Sequence, residues 1–64
     1  MSQVEIRLRG RRLEQFDADV DPEDEITCVA LLRRRAVELR RPVGQLTLRI
    51  WPDRRPGRRR EYRA

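Results

Sequence analysis

Between residues 3 and 9 apolar and polar side chains alternate without a break. Val4, Ile6 and Leu8 fall on one side; Glu5, Arg7 and Arg9 fall on the other. Successive side chains of a strand point to opposite faces, so this segment predicts a half-buried β-strand. Gly10-Arg11-Arg12 follows as a turn, because glycine accepts a positive φ without steric penalty. A second strand is expected over 12–20, with Phe16, Ala18 and Val20 in phase. Leu13 breaks that phase, and either occupies a bulge or faces the opposite side.

The period then changes. Asp21-Pro22-Glu23-Asp24-Glu25 has the composition of a helix start. Asp21 can accept from orphan N–H groups, proline fits the first helical position, and acids oppose the positive end of the helix dipole. A helix is expected from Pro22 to Arg40, with Arg40 and Arg41 at the negative end of its dipole. At about 100° per residue, Ile26, Val29, Ala30, Leu32, Ala36, Val37 and Leu39 form one broad apolar face. Thr27, Leu31, Arg34, Arg35, Glu38 and Arg41 cover the rest, and Arg33 falls inside the apolar sector, where it must snorkel or meet a carboxylate. Pro42 ends the helix. Alternation resumes over 45–51, with Leu46, Leu48 and Ile50 on one face and Thr47, Arg49 and Trp51 on the other, until Pro52.

Residues 53–64 are rich in Arg, Pro and Gly and most simply form a flexible tail. A short strand around 61–63, returned by a hairpin through Pro56-Gly57, is the alternative. The expected fold class is therefore α+β. A single small ββαβ domain spans 1–52, a β-hairpin and then a helix packed on a three-stranded mixed sheet, with an Arg-rich basic tail over 53–64.

Val20, Pro22, Asp24, Ile26 and Val29 give V-x-P-x-D-x-I-x-x-V after a hairpin and into a helix. This resembles the second-strand-to-helix junction of ubiquitin and its β-grasp relatives, over residues 3–51. The resemblance implies a minimal β-grasp-like sheet with one helix across it, and the last strand beside the first. The chain departs from that family in a longer first hairpin and in ending Glu61-Tyr62-Arg63-Ala64 rather than in Gly-Gly. Conjugation and sulfur-carrier chemistry need the diglycine, so neither is implied.

Charge changes the picture more than size does. Sixty-four residues suit one domain, which at this length buries only about 60% of its unfolded surface. Residues 1–48 hold nine Arg against nine acids, and residues 49–64 hold seven Arg against Asp53 and Glu61, so the net +5 lies in the last sixteen residues. A cationic segment seeks anionic partners. All sixteen basic residues are Arg, a bias that GC-rich coding in a bacterium or its phage explains without any functional role. One Cys and no His exclude an internal disulfide and ordinary zinc spacings. No metal or cofactor is expected. No apolar run has the length of a membrane span or a signal-peptide core, so a cytoplasmic protein is expected.

Two surfaces are candidates for binding. On the sheet face away from the helix, Arg7, Arg9, Arg49 and Trp51 are expected together, bordered by Gln15, Thr47 and Leu13. Cations beside an exposed aromatic suit nucleic-acid stacking. In the tail, Arg54, Arg55, Arg58, Arg59, Arg60 and Arg63 supply phosphate contacts. The expected function is a small non-catalytic nucleic-acid-binding accessory or regulatory module. The same Arg-Trp composition marks protein interfaces. A ubiquitin-like protein-protein interaction adaptor, or homodimerisation through the sheet face, is thus the alternative. No general base, nucleophile pair or metal site points to an enzyme. Cys28 has no His to activate it and has acids nearby, so it is expected to be an inert filler at the core margin. The acidic block Asp17, Asp19, Asp21, Glu23, Asp24 and Glu25 is expected first as a helix cap, second as a dock for the tail and third as a cation site.

Overall fold

The chain first reverses at Arg9-Gly10, where both residues have positive φ, 51° and 79°. That is the geometry of a two-residue hairpin, whose twist matches the flanking strands. The computed structural model describes all 64 residues. The turn joins β1 (Ser2–Leu8) to β2 (Arg11–Ala18), one residue earlier than the sequence suggests. Between Ile6 and Arg7 the register shifts, the partners passing from Glu14 to Arg12 and leaving Leu13 unpaired and 40% exposed. The bulge alternative for Leu13 is therefore the observed one.

The helix, α1, runs Glu25–Leu39 and starts later than Pro22. Asp21 closes a turn instead of capping: its carboxylate accepts from the Glu23 N–H at 2.9 Å, and its carbonyl accepts from the Asp24 N–H at 3.0 Å. Asp24 caps the helix, because Thr27 satisfies it twice, through its N–H at 3.2 Å and its hydroxyl at 2.7 Å. At the other end Arg40 adopts the left-handed conformation (φ 55°, ψ 44°). The N–H groups of Arg40 and Arg41 return to the carbonyls of Val37 and Ala36 at 3.1 and 3.0 Å, the paired bonds of a Schellman ending.

After a short turn at Val43–Gln45 come β3 (Leu46–Pro52), a second turn at Pro56–Arg58 and β4 (Arg60–Tyr62). The sheet has the order β2-β1-β3-β4, and every pairing is antiparallel. This corrects the expected three-stranded mixed sheet. The chain crosses the molecule along β1, back along β2 and forward again along α1. β3 must then run opposite to β1, its neighbour, and a parallel pair cannot form. β4 corrects the expected basic tail: Leu48, Arg49 and Ile50 pair with Tyr62, Glu61 and Arg60, so part of the 53–64 stretch belongs to the sheet.

One face of the sheet meets α1. Val4, Ile6, Leu46, Leu48 and Ile50 pack against Cys28, Leu31, Leu32 and Ala36, all buried, with Phe16, Val20, Leu39 and Tyr62 around them. The strand phases are as the alternation predicts. The helix phase is not. Leu31, expected outside, is buried, and Ile26 and Val37, expected inside, are 84% and 78% exposed. Arg33 is exposed as well. On the buried side of α1, Glu14 of β2 holds the Arg35 guanidinium with two bonds of 2.6 and 2.7 Å. The same guanidinium lies 5.7 Å from the Phe16 ring centroid. The Leu31–Arg35 side thus faces the sheet, with Cys28, Leu32 and Ala36, and the Ile26–Val37 side faces outward. Cys28 is fully buried within the core rather than at its margin.

Candidate nucleic-acid interface

The open face of the sheet is a polar network in which Arg7 and Arg49 are already matched. Gln3, Glu5 and Arg7 alternate along β1 and meet Trp51, Arg49 and Thr47 across β3. Arg7 bonds Glu5 at 2.7 Å and the Gly10 carbonyl. Arg49 bonds Glu61 of β4 at 3.2 Å. Gln3 donates to Asp17 and to Asp53, and Arg12 bonds Gln15 at 2.7 Å. Arg7, Arg49 and Trp51 thus share the expected face, but both guanidiniums have internal carboxylates. Arg9 leaves the face for the hairpin tip, because its positive φ is part of the turn. Trp51 is half-buried and has no aromatic companion there. Phe16 and Tyr62 pack against the core on the helix side.

Glu5 was legible as a counter-ion, since period two puts it on the same face as Arg7, two residues away. The Arg49–Glu61 pair was not, because it exists only once β4 joins the sheet.

The C-terminal arginines divide. Arg60 bonds Glu23 at 3.0 Å, and Tyr62 donates its hydroxyl to the Pro22 carbonyl at 2.6 Å. Together they fasten β4 to the acidic turn ahead of α1, a short form of the intramolecular dock. Arg54, Arg55, Arg58 and Arg59, in the β3–β4 loop, and Arg63, beyond β4, are exposed and make no ion pair. The loop nonetheless lies beside carboxylates: Asp21 and Glu23 share a groove with Arg58, Arg59 and Arg60.

At the opposite end the balance differs. The hairpin tip and the end of α1 bring Arg9, Arg11, Arg12, Arg40 and Arg41 to the same pole, all exposed and none ion-paired. The nearest carboxylates, Glu14 and Glu38, are both taken by Arg35. Along the sequence the net charge lies in the last sixteen residues. In space, five more unpaired arginines gather at the hairpin pole, away from the acidic turn ahead of α1. Linear counting missed them because Arg9, Arg11 and Arg12 are cancelled on paper by acids that the fold places at the far end.

The thiol of Cys28 is pushed up to about 11, by burial first and then by the charges of Asp24 and Asp21. Its sulfur contacts the Asp21 carbonyl at 3.6 Å. The acidic residues do not converge on a cluster able to hold a metal ion. No helix is long and apolar enough to cross a membrane. No family model, curated protein or solved structure matches this chain.

Proposed function

We propose that this chain is a small non-catalytic module that binds nucleic acid through its phosphates. The supporting observation is the hairpin pole, where Arg9, Arg11, Arg12, Arg40 and Arg41 are exposed without carboxylate partners. Guanidinium groups bind phosphate in a bidentate way and release condensed counterions. Arg54, Arg55, Arg58 and Arg59 add a weaker second contact, because the acids beside that loop oppose a polyanion within a Debye length of about 10 Å at moderate salt. The sheet face, with Arg7, Arg49 and Trp51, contributes less in this reading, since Arg7 and Arg49 have carboxylate partners within the molecule.

Fluorescence anisotropy on a generic duplex oligonucleotide tests this. Affinity should fall steeply with salt, each phosphate contact contributing about −0.9 to the log–log slope. Substituting Arg9, Arg11, Arg40 and Arg41 together by Gln should flatten that slope more than substituting Arg54, Arg55, Arg58 and Arg59. Absence of binding at low salt, or binding indifferent to salt, removes the proposal.

A further inference from the structure

The outer side of α1 is apolar where water would favour polar groups. Ile26 and Val37 are 84% and 78% exposed, and exposed Ala30 and Arg33 lie between them. At about 100° per residue these four fall within about 60° of the circumference, on the side away from Cys28, Leu31, Leu32 and Ala36. The stripe has no part in the core, and a surface helix normally carries only one apolar stripe.

We propose that this stripe is the interface between two copies of the chain, packed helix against helix in antiparallel orientation about a two-fold axis. Charge selects this occupant. Ahead of α1 and at its start stand Glu23, which also bonds Arg60, and Glu25; just beyond its end stand Arg40 and Arg41. An antiparallel copy sets each acidic end against the basic end of the other and opposes the two helix dipoles. One register is self-complementary, as an isologous contact requires, and sets Glu23 level with Arg40; Glu25 and Glu38, level with each other, both lie off the stripe. With the axis between Leu31 and Leu32, Ile26 of each copy meets Val37 of the other. Ala30 leaves room for the stem of the opposing Arg33. Nucleic acid suits the Glu23 end of this stripe poorly, whereas the Arg40–Arg41 end adjoins the proposed phosphate contact.

Two helices of fifteen residues make a contact at the small end of specific interfaces, below about 1,200 Å² in total. Dissociation on the order of 100 µM is expected. Sedimentation velocity between about 10 µM and about 1 mM should therefore pass from the mass of one chain to that of two. Val37→Glu and Ile26→Glu alter exposed positions, so each should leave the monomer folded by circular dichroism and weaken association tenfold or more. Arg40→Glu should also weaken it, and adding Glu23→Arg to the same chain should restore it. A monomer at every concentration overturns the proposal, as does a dimer unaffected by both Val37→Glu and Ile26→Glu. A dimer lost on Trp51→Ala but kept in Val37→Glu places the interface on the sheet and equally overturns it. So does Val37→Glu weakening oligonucleotide binding by the monomer, which would seat nucleic acid on the stripe.

Discussion

Three titrating residues couple this fold to pH, each through its own surroundings. Burial, then Asp24 and Asp21, raises the Cys28 thiol from 9.0 to about 11. Between those values the unfolded chain gives up a proton that the folded chain keeps. Cys28's contribution is full below about pH 9 and declines as pH rises toward 11. Burial raises Tyr62 as well, which acts in the same direction beyond pH 10. Asp24 is the reverse case. The hydroxyl and N–H of Thr27 hold its pKa below 3.8, so its contribution is present above that value and is lost as pH falls below it. The urea midpoint, followed from acid to alkali, should show a plateau with a falling limb on each side. Cys28→Ala should soften the alkaline limb and Asp24→Ala the acid one. A Cys28→Ala chain with an unchanged alkaline limb would show that another group titrates there. The buried thiol should also resist iodoacetamide in the native state and react after unfolding.

At the scale of single elements, the strands are the clearest success of the sequence pattern and α1 its clearest failure. The strand phases needed only period two, because each strand has one apolar side. The helix has apolar residues around most of its circumference, so periodicity alone could not choose which of them face the sheet. Contacts outside the helix accompany the observed choice: Glu14 and Phe16 of β2 grip Arg35. Arg35→Lys keeps the charge but loses the two-pronged geometry. With both partners about a quarter exposed, it should cost about 1 kcal/mol in urea unfolding. A cost no different from that of a surface Arg34→Lys control would show that the bidentate pair does not set the helix phase. The helix end offers a gain instead. Arg40 is held at φ 55°, where a side chain is strained and glycine is not. Arg40→Gly should therefore raise stability by about 0.5–1 kcal/mol, provided nothing else in the cap depends on the side chain.

At the scale of the whole molecule, the C-terminal stretch decides both the stability and the distribution of charge. Composition reads 53–64 as solvated because seven of its residues are Arg or Asp, whereas its fold depends on the single apolar ring of Tyr62. That ring packs against the core and its hydroxyl reaches the Pro22 carbonyl. Around it, β4 covers the edge of β3, whose Leu48 and Ile50 are fully buried. A free tail could be removed without consequence; this one cannot. A chain ending at Pro52 should lose about 2–3 kcal/mol, the sum of a partly buried aromatic side chain and its hydrogen bond. It should also expose an unpaired strand edge that invites association. The backbone amides of residues 48–50 should then exchange with deuterium faster than in the full chain, while those of β1 change least. Equal stability of the two chains would mean that β4 contributes nothing to the fold. The same coupling dictates how the charges of this segment must be tested. Point substitutions at Arg54, Arg55, Arg58 and Arg59 leave Tyr62 in place and report on anion binding alone. Truncation unfolds part of the sheet together with the charge it removes, and an affinity lost that way would say nothing about phosphate contacts.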